Sequence, residues 1–194
     1  MLSGGRFRLG VGIGWNQAEY VALGEDFGNR GRRSEEQVEV MRALWAEPHV
    51  TLDRTWHKID DAGINPLPTR GHVPLWLGGH EDVTLQRVAR WGEGWIMLAH
   101  PADDTARAAF DRLRVHVAAA GRDPATIGIT VWVSAVGDPA AWRDELAFWK
   151  AAGVSHVTLN NVFGRYHHRR IAETSLAAHL AALEAYRAAV ADLP

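Results

Sequence analysis

Short runs rich in β-branched and aromatic residues alternate five times with longer segments of helical period, and that rhythm leaves few architectures open. Strands joined by a crossover helix return to the sheet in parallel, so the expectation is an α/β fold built on about five parallel strands. The strands are expected over residues 7–12, 74–77, 95–98, 127–134 and 156–159. A helix over 30–45 places Val38, Met41, Leu44 and Trp45 on one face, and one over 81–91 places Leu85, Val88 and Ala89 inward, with Gly92 as its stop. Ala106, Phe110, Leu113 and Val117 form the stripe of a helix over 105–120. Pro139 suits the first turn of the next helix, in which Trp142, Leu146 and Trp149 recur before Gly153. The last helix, over 171–190, is expected to turn Leu176, Leu180 and Leu183 inward.

Residues 46–73 break the rhythm. Val50-Thr51-Leu52 and Trp56-His57-Lys58-Ile59 flank a polar turn and read as a small β-hairpin, followed by an extended link punctuated by Pro66 and Pro68. With no repeat beyond the β-α alternation, residues 1–194 are expected to form one domain. A net charge of −2 over 194 residues gives no electrostatic footprint for nucleic acid or an anionic membrane. Cysteine is absent, which excludes disulfides, thiolate metal sites and a catalytic thiol. No run approaches the roughly 18 apolar residues of a spanning helix, and the first residues lack the basic-then-apolar order of a signal peptide, so the expected location is cytoplasmic.

Gly10-Val11-Gly12-Ile13-Gly14 follows the first strand, yet the third glycine of a dinucleotide fingerprint would fall at Trp15, so a Rossmann reading fails. Gly12 and Gly14 at a strand end either let backbone approach a flat ligand or form a tight turn. Gly78-Gly79-His80 lies between a strand and a helix start, where free N–H groups and the helix dipole favour a phosphate, although a plain turn has the same sequence. Glu81 and Asp82 suit the dipole but would repel an anion lodged there. His80, His100, His167 and His168 all follow strands and are candidate proton donors or acceptors. None has metal-ligand spacing, so no metal is expected. Trp45, Trp76, Trp142 and Trp149 match core stripes, whereas Trp15 and Trp95 adjoin strand ends and either stack on a ring system or pack structurally.

Together these pieces resemble the bacterial luciferase-like monooxygenase superfamily, in particular its coenzyme F420-dependent oxidoreductases. The resemblance runs from Ser3-Gly4-Gly5-Arg6-Phe7 through Gly12-Ile13-Gly14-Trp15-Asn16, Glu19-Tyr20, Leu23-Gly24 and Arg30-Gly31. It continues through Pro66-Leu67-Pro68, Pro74-Leu75-Trp76-Leu77-Gly78-Gly79-His80 and Arg87-Val88-Ala89-Arg90-Trp91-Gly92-Glu93-Gly94-Trp95. It implies a (β/α)8 TIM barrel that binds coenzyme F420, or alternatively FMN, at the carboxyl ends of its strands, with the phosphate near Gly78-Gly79. Gly12, Gly14, Trp15, Gly78, Gly79, His80 and Trp95 are then the cofactor-binding candidates, and the function is hydride transfer with a small organic substrate or FMN-dependent oxygen chemistry.

The resemblance also implies that the chain opens where the family's fourth strand begins, so that it forms a partial barrel. A barrel of about 250 residues would allot roughly 156 to five units, and the hairpin brings that toward the observed length. The first three strands supply relatives with support for the cofactor ring and often a catalytic histidine or acid, so a non-catalytic cofactor-binding remnant stands as an alternative. Glu81 stands where relatives commonly have a serine or threonine, and Trp15 where sugar-phosphate-oxidising relatives carry a glutamate, which disfavours a glucose-6-phosphate-type reaction. Phe7, Leu9, Val157 and Leu159 on the outer strands would leave apolar, unpaired edges. The expectation is a homo-oligomer, or pairing with a chain that carries the remaining barrel units.

Overall fold

A computed structural model describes residues 3–98, 100–162, 164 and 168–193. Strands β1 (Leu9–Val11), β4 (Leu75–Gly78), β5 (Gly94–Leu98), β6 (Gly128–Val133) and β7 (His156–Leu159) form one parallel sheet in the order β1-β4-β5-β6-β7. Helices α2 (Arg30–Ala46), α3 (Asp82–Trp91), α4 (Asp104–Ala119) and α5 (Pro139–Ala152) connect successive strands, and α6 (Leu176–Val190) closes the chain. The five-unit α/β reading therefore holds. Strands β2 (Val50–Asp53) and β3 (Lys58–Ala62) pair antiparallel as the expected hairpin excursion. Among the described residues, β1 and β7 each have one strand neighbour, as an arc of barrel requires.

The helices begin where short polar side chains can cap them. Asp103 accepts from Thr105 N at 2.9 Å, Asp138 from Ala141 N at 3.0 Å ahead of Pro139, and Ser175 from Ala178 N at 3.2 Å. Gly153 ends α5 in the left-handed region at φ 89°. Leu85, Val88, Phe110, Leu113, Val117 and Trp149 from α3, α4 and α5 pack on Leu77, Trp95, Met97, Ile129, Val131 and Val133 to form the main core.

The opposite face of the sheet is arranged around Trp76. Its register partners are Gly10 and Gly94, and a Cβ at Gly94 or Gly128 would lie 2.1 or 2.5 Å from the indole. The ring therefore lies flat across two glycine strands. The Arg8 guanidinium stands 4.2 Å above its centroid and His156 meets it edge-on at 5.3 Å, which seals the amino-terminal half of this face.

Three expectations need correction. Leu176, Leu180 and Leu183 are 74, 49 and 44% exposed; α6 instead buries Tyr186, whose ring lies 5.2 Å from that of Trp142 on α5. The helix rests chiefly on α5, so its leucine face stays largely open to solvent. That helix also starts at Leu176 rather than near 171, because Ile171 N donates to Asn161 O and holds the segment outside helical geometry. Finally, the glycine-rich stretch after β1 contains a short helix, α1 (Gln17–Ala22), nucleated by Asn16, whose side chain accepts from Ala18 N and donates to Glu19.

Candidate cofactor and substrate site

The carboxyl ends of the strands carry the candidate residues. Gly12, Gly14 and Trp15 follow β1; Gly78, Gly79 and His80 end β4; His100 follows β5; Ser134 follows β6; and Asn160, Asn161 and His168 follow β7. His167 lies outside the described residues.

Gly79 adopts φ +139°, a conformation rare for L side chains, and a Cβ there would sit 2.9 Å from Thr84 Oγ1. The turn thus requires glycine on two counts. Thr84 is three residues into the helical start set by Glu81, and its hydroxyl leans over the Gly79 backbone. It is not among the sequence-based candidates, although a hydroxyl in the first turn after a Gly-Gly pair is a signal that could have found it. Asp82 does not face the turn as an unpaired charge: it accepts from His116 on α4 at 2.8 Å and from Gln86 at 2.8 Å. The His116 bond, with that of Gln86, holds its carboxyl below the usual range. Of the two acids expected to repel an anion, Glu81 alone remains exposed without such a tether to α4.

Trp95 is corrected as a ring-stacking residue. It is 1% exposed, meets Phe110 edge-on at 6.0 Å in the core, and donates its Nε1–H to Gly79 O at 2.8 Å. Its role is to fix the Gly79 peptide from behind, since no face of the indole reaches a ligand. Trp15, in contrast, is 73% exposed beyond Gly14, which sits at φ +76° against the Tyr20 ring. Tyr20 Oη in turn donates to Ile13 O and braces this loop. A side chain at Gly12 would meet open space.

Leu98 is held at φ 63° where the β5–β6 register shifts, an uncommon strain for a branched residue placed just before His100. His80 and His100 lie close enough to interact: partial burial, then the charge of His100, lowers the His80 pKa, against the opposing pull of Glu81. A neutral imidazole at His80 can accept a proton at neutral pH.

Beside His100 a cleft of about 130 Å³ is lined by His100, Trp132, Ser134, Val136, Glu145, His168 and Arg169. His168 is 6% exposed, and its Nε2 bonds the Asn160 carbonyl. A carbonyl only accepts, so Nε2 carries the hydrogen and Nδ1 is the basic nitrogen of the neutral ring. Glu145 on α5 accepts from Trp149 Nε1 at 3.2 Å; burial raises its pKa, opposed by that bond and by His168. Behind it, Tyr186 Oη is buried without a hydrogen-bond partner, and burial and Glu145 push its pKa upward. Ser134 Oγ donates to Arg169 O and accepts from Val136 N, pinning the Arg169 backbone to the end of β6. Among the described residues no group of three or more potential ligands could hold a metal ion.

The sequence model described as luciferase-like monooxygenase matches residues 1–192. An uncharacterised protein of Mycobacterium tuberculosis is 34% identical over 157 residues, covering 80% of this chain and 53% of its own length. The FMNH2-dependent dimethylsulfone monooxygenase of Pseudomonas fluorescens is 27% identical over 137 residues, 69% of this chain and 37% of that enzyme. A solved F420-dependent secondary alcohol dehydrogenase, in complex with an F420-acetone adduct, superimposes with a TM-score of 0.69 at 19% identity, covering 80% of this chain and 64% of that one. The chain thus spans about half, or less, of the length of these curated relatives.

Proposed function

Because the chain belongs to the luciferase-like monooxygenase family, we propose that it works as a cytoplasmic oxidoreductase that passes hydride between a deazaflavin, coenzyme F420, and a small organic substrate. The observation that carries this reading is the Gly78-Gly79 turn. It joins a buried strand to a helix start, requires glycine at position 79, and is supported from behind by Trp95 and flanked by the Thr84 hydroxyl. That cradle fits a cofactor phosphate, which α3 favours through its dipole and its unpaired first-turn amides. Gly12 leaves the end of β1 open to a flat ring, and Trp15, carried beyond it by the Gly14 turn, offers that ring an apolar surface.

When bound, the cofactor supplies a two-electron carrier. The residues of this chain position the substrate and manage its proton. His80 and His100 border the turn, and His168, which lines the cleft and is oriented by the Asn160 carbonyl through Nε2–H, leaves Nδ1 as its proton-accepting nitrogen. FMN is the second reading, favoured by the FMNH2-dependent relative, and implies oxygen chemistry at the same cradle.

Fluorescence titration with coenzyme F420 and with FMN tests the assignment. Saturable binding of one cofactor, weakened at least tenfold by Gly79→Ala, is the expected result. Binding of neither overturns the oxidoreductase reading for this polypeptide, and binding without turnover identifies it as a non-catalytic cofactor-binding chain.

A further inference from the structure

Helix α6 carries two seams. On one, His179, Ala182, Tyr186, Ala189 and Val190 are buried or half-buried, with the Tyr186 ring against Trp142 of α5. Roughly 100° further round the helix, Leu176, Leu180, Leu183 and Arg187 follow one another at spacings of four, three and four residues. The three leucines are 74, 49 and 44% exposed. A period of about 3.5 residues is the narrow a/d seam of a coiled coil, so the surface that fits it is a second helix. The charges at its two ends are opposite. Glu173 lies just ahead of the Ser175 cap and Arg187 in the last turn; both are exposed, and neither makes an ion pair among the described residues.

From this arrangement we infer that the seam docks a second copy of the chain, α6 against α6, antiparallel. A two-fold interface requires one surface to carry both complementary halves, and this one does. In the antiparallel register Leu180 packs on the partner's Leu183 on each side of the two-fold axis. The stem of Arg187 covers the partner's Leu176, and its guanidinium reaches the partner's Glu173. A parallel pair would instead set Arg187 against Arg187. Two 15-residue helices bury less than the roughly 800 Å² per partner of a standard interface, so the dimer is a reversible one that forms at micromolar concentration.

Sedimentation equilibrium of the full chain tests it. The chain should dimerise, and Leu180→Asp, at an exposed site and with circular dichroism unaltered, should weaken the dimer at least tenfold. Glu173→Arg and Arg187→Glu should each weaken it at least threefold, because each sets like charges together at both ends of the seam. An equimolar mixture of those two variants should form a heterodimer tighter than either homodimer, since every cross-pair is then of opposite sign, and that preference should fade as salt is raised. A monomeric chain, association that survives Leu180→Asp and so traces to the strand edges, or a mixture that associates no more tightly than its components overturns the inference. No cofactor enters these measurements, so their outcome is independent of the oxidoreductase reading.

Discussion

Substitution of Gly94 by alanine separates two physical effects of opposite sign. Gly94 lies within β5 and its φ is not in the left-handed region, so replacing a flexible glycine would by itself stabilise the strand by about 0.5–1 kcal/mol. The new Cβ, however, would fall 2.1, 2.3 and 2.5 Å from Cδ2, Cε2 and Cε3 of Trp76. Carbon atoms pack at roughly 3.5–4.0 Å, so the indole must move by more than about 1 Å. It has little room to do so: Gly128 is the floor under its far end, Arg8 lies above it and His156 borders it. Overpacking of this kind costs about 1–3 kcal/mol, and the three contacts place Gly94→Ala toward the upper end. For a chain of this length about 2 kcal/mol corresponds to a fall in Tm of roughly 4–8 °C, read by far-ultraviolet circular dichroism. Trp76→Leu destabilises on its own, but it removes the atoms that clash. In the Trp76→Leu background Gly94→Ala should be neutral or slightly stabilising, a coupling of about 2 kcal/mol in a double-mutant cycle. A stabilised Gly94→Ala single variant, or additivity in the cycle, would refute the placement of Trp76 across Gly94.

Four further outcomes are expected. Glu81→Ser should tighten cofactor binding, because it removes the exposed carboxylate beside the Gly79 turn, and Thr84→Val should weaken it; unchanged affinities in the fluorescence titration count against the phosphate cradle. Glu36 accepts from Trp56 N, His57 N and the His57 ring, each at 2.8 Å; although burial pushes its pKa up, these bonds outweigh it and hold it below the usual value. Its support of the hairpin turn is thus complete above the ordinary carboxyl range and lost as pH falls through its lowered value, so amide exchange at Trp56 and His57 should accelerate at low pH and in Glu36→Gln. Asp192, whose pKa the Arg143 hydrogen bond lowers to about 2, should keep the end of α6 tied to α5 until pH falls below its ordinary 3.8 toward that value, checked by nuclear magnetic resonance titration. Phe7, just ahead of edge strand β1, is 58% exposed and Val157 on edge strand β7 is 42% exposed, and sedimentation at micromolar concentration should show self-association; a monomer that unfolds cooperatively would refute it.

The periodic signals carried most of the fold. Strand 156–159 and the helices around Leu85, Phe110 and Trp149 sit where their apolar spacing placed them, because each stripe is wide enough to be buried by one neighbour. The leucine stripe of α6 had the same local signature and failed, since whether a stripe is buried depends on what lies opposite it, which no window of sequence contains. The same holds for the site. The turn at Gly78, Gly79 and His80, proposed as the phosphate cradle, was legible as a turn because a strand-glycine-helix junction is a local pattern with a local physical cause.

Trp15 and Trp95 stand in similar local positions, yet one is 73% exposed and the other 1%. The difference arises from strand order: Trp15 follows β1 at a sheet edge, while β5 lies between β4 and β6 under α4. His100, Glu145 and His168 come from three segments far apart in the chain, and only the parallel crossing of β5, β6 and β7 brings them to one cleft. Strand, helix and tight turn could be assigned from the residues alone, because those states depend on interactions within a few positions of the chain. Which charges share a cavity, and which tryptophan supports the turn, followed from the packing of distant segments, because burial and electrostatics depend on distances through space.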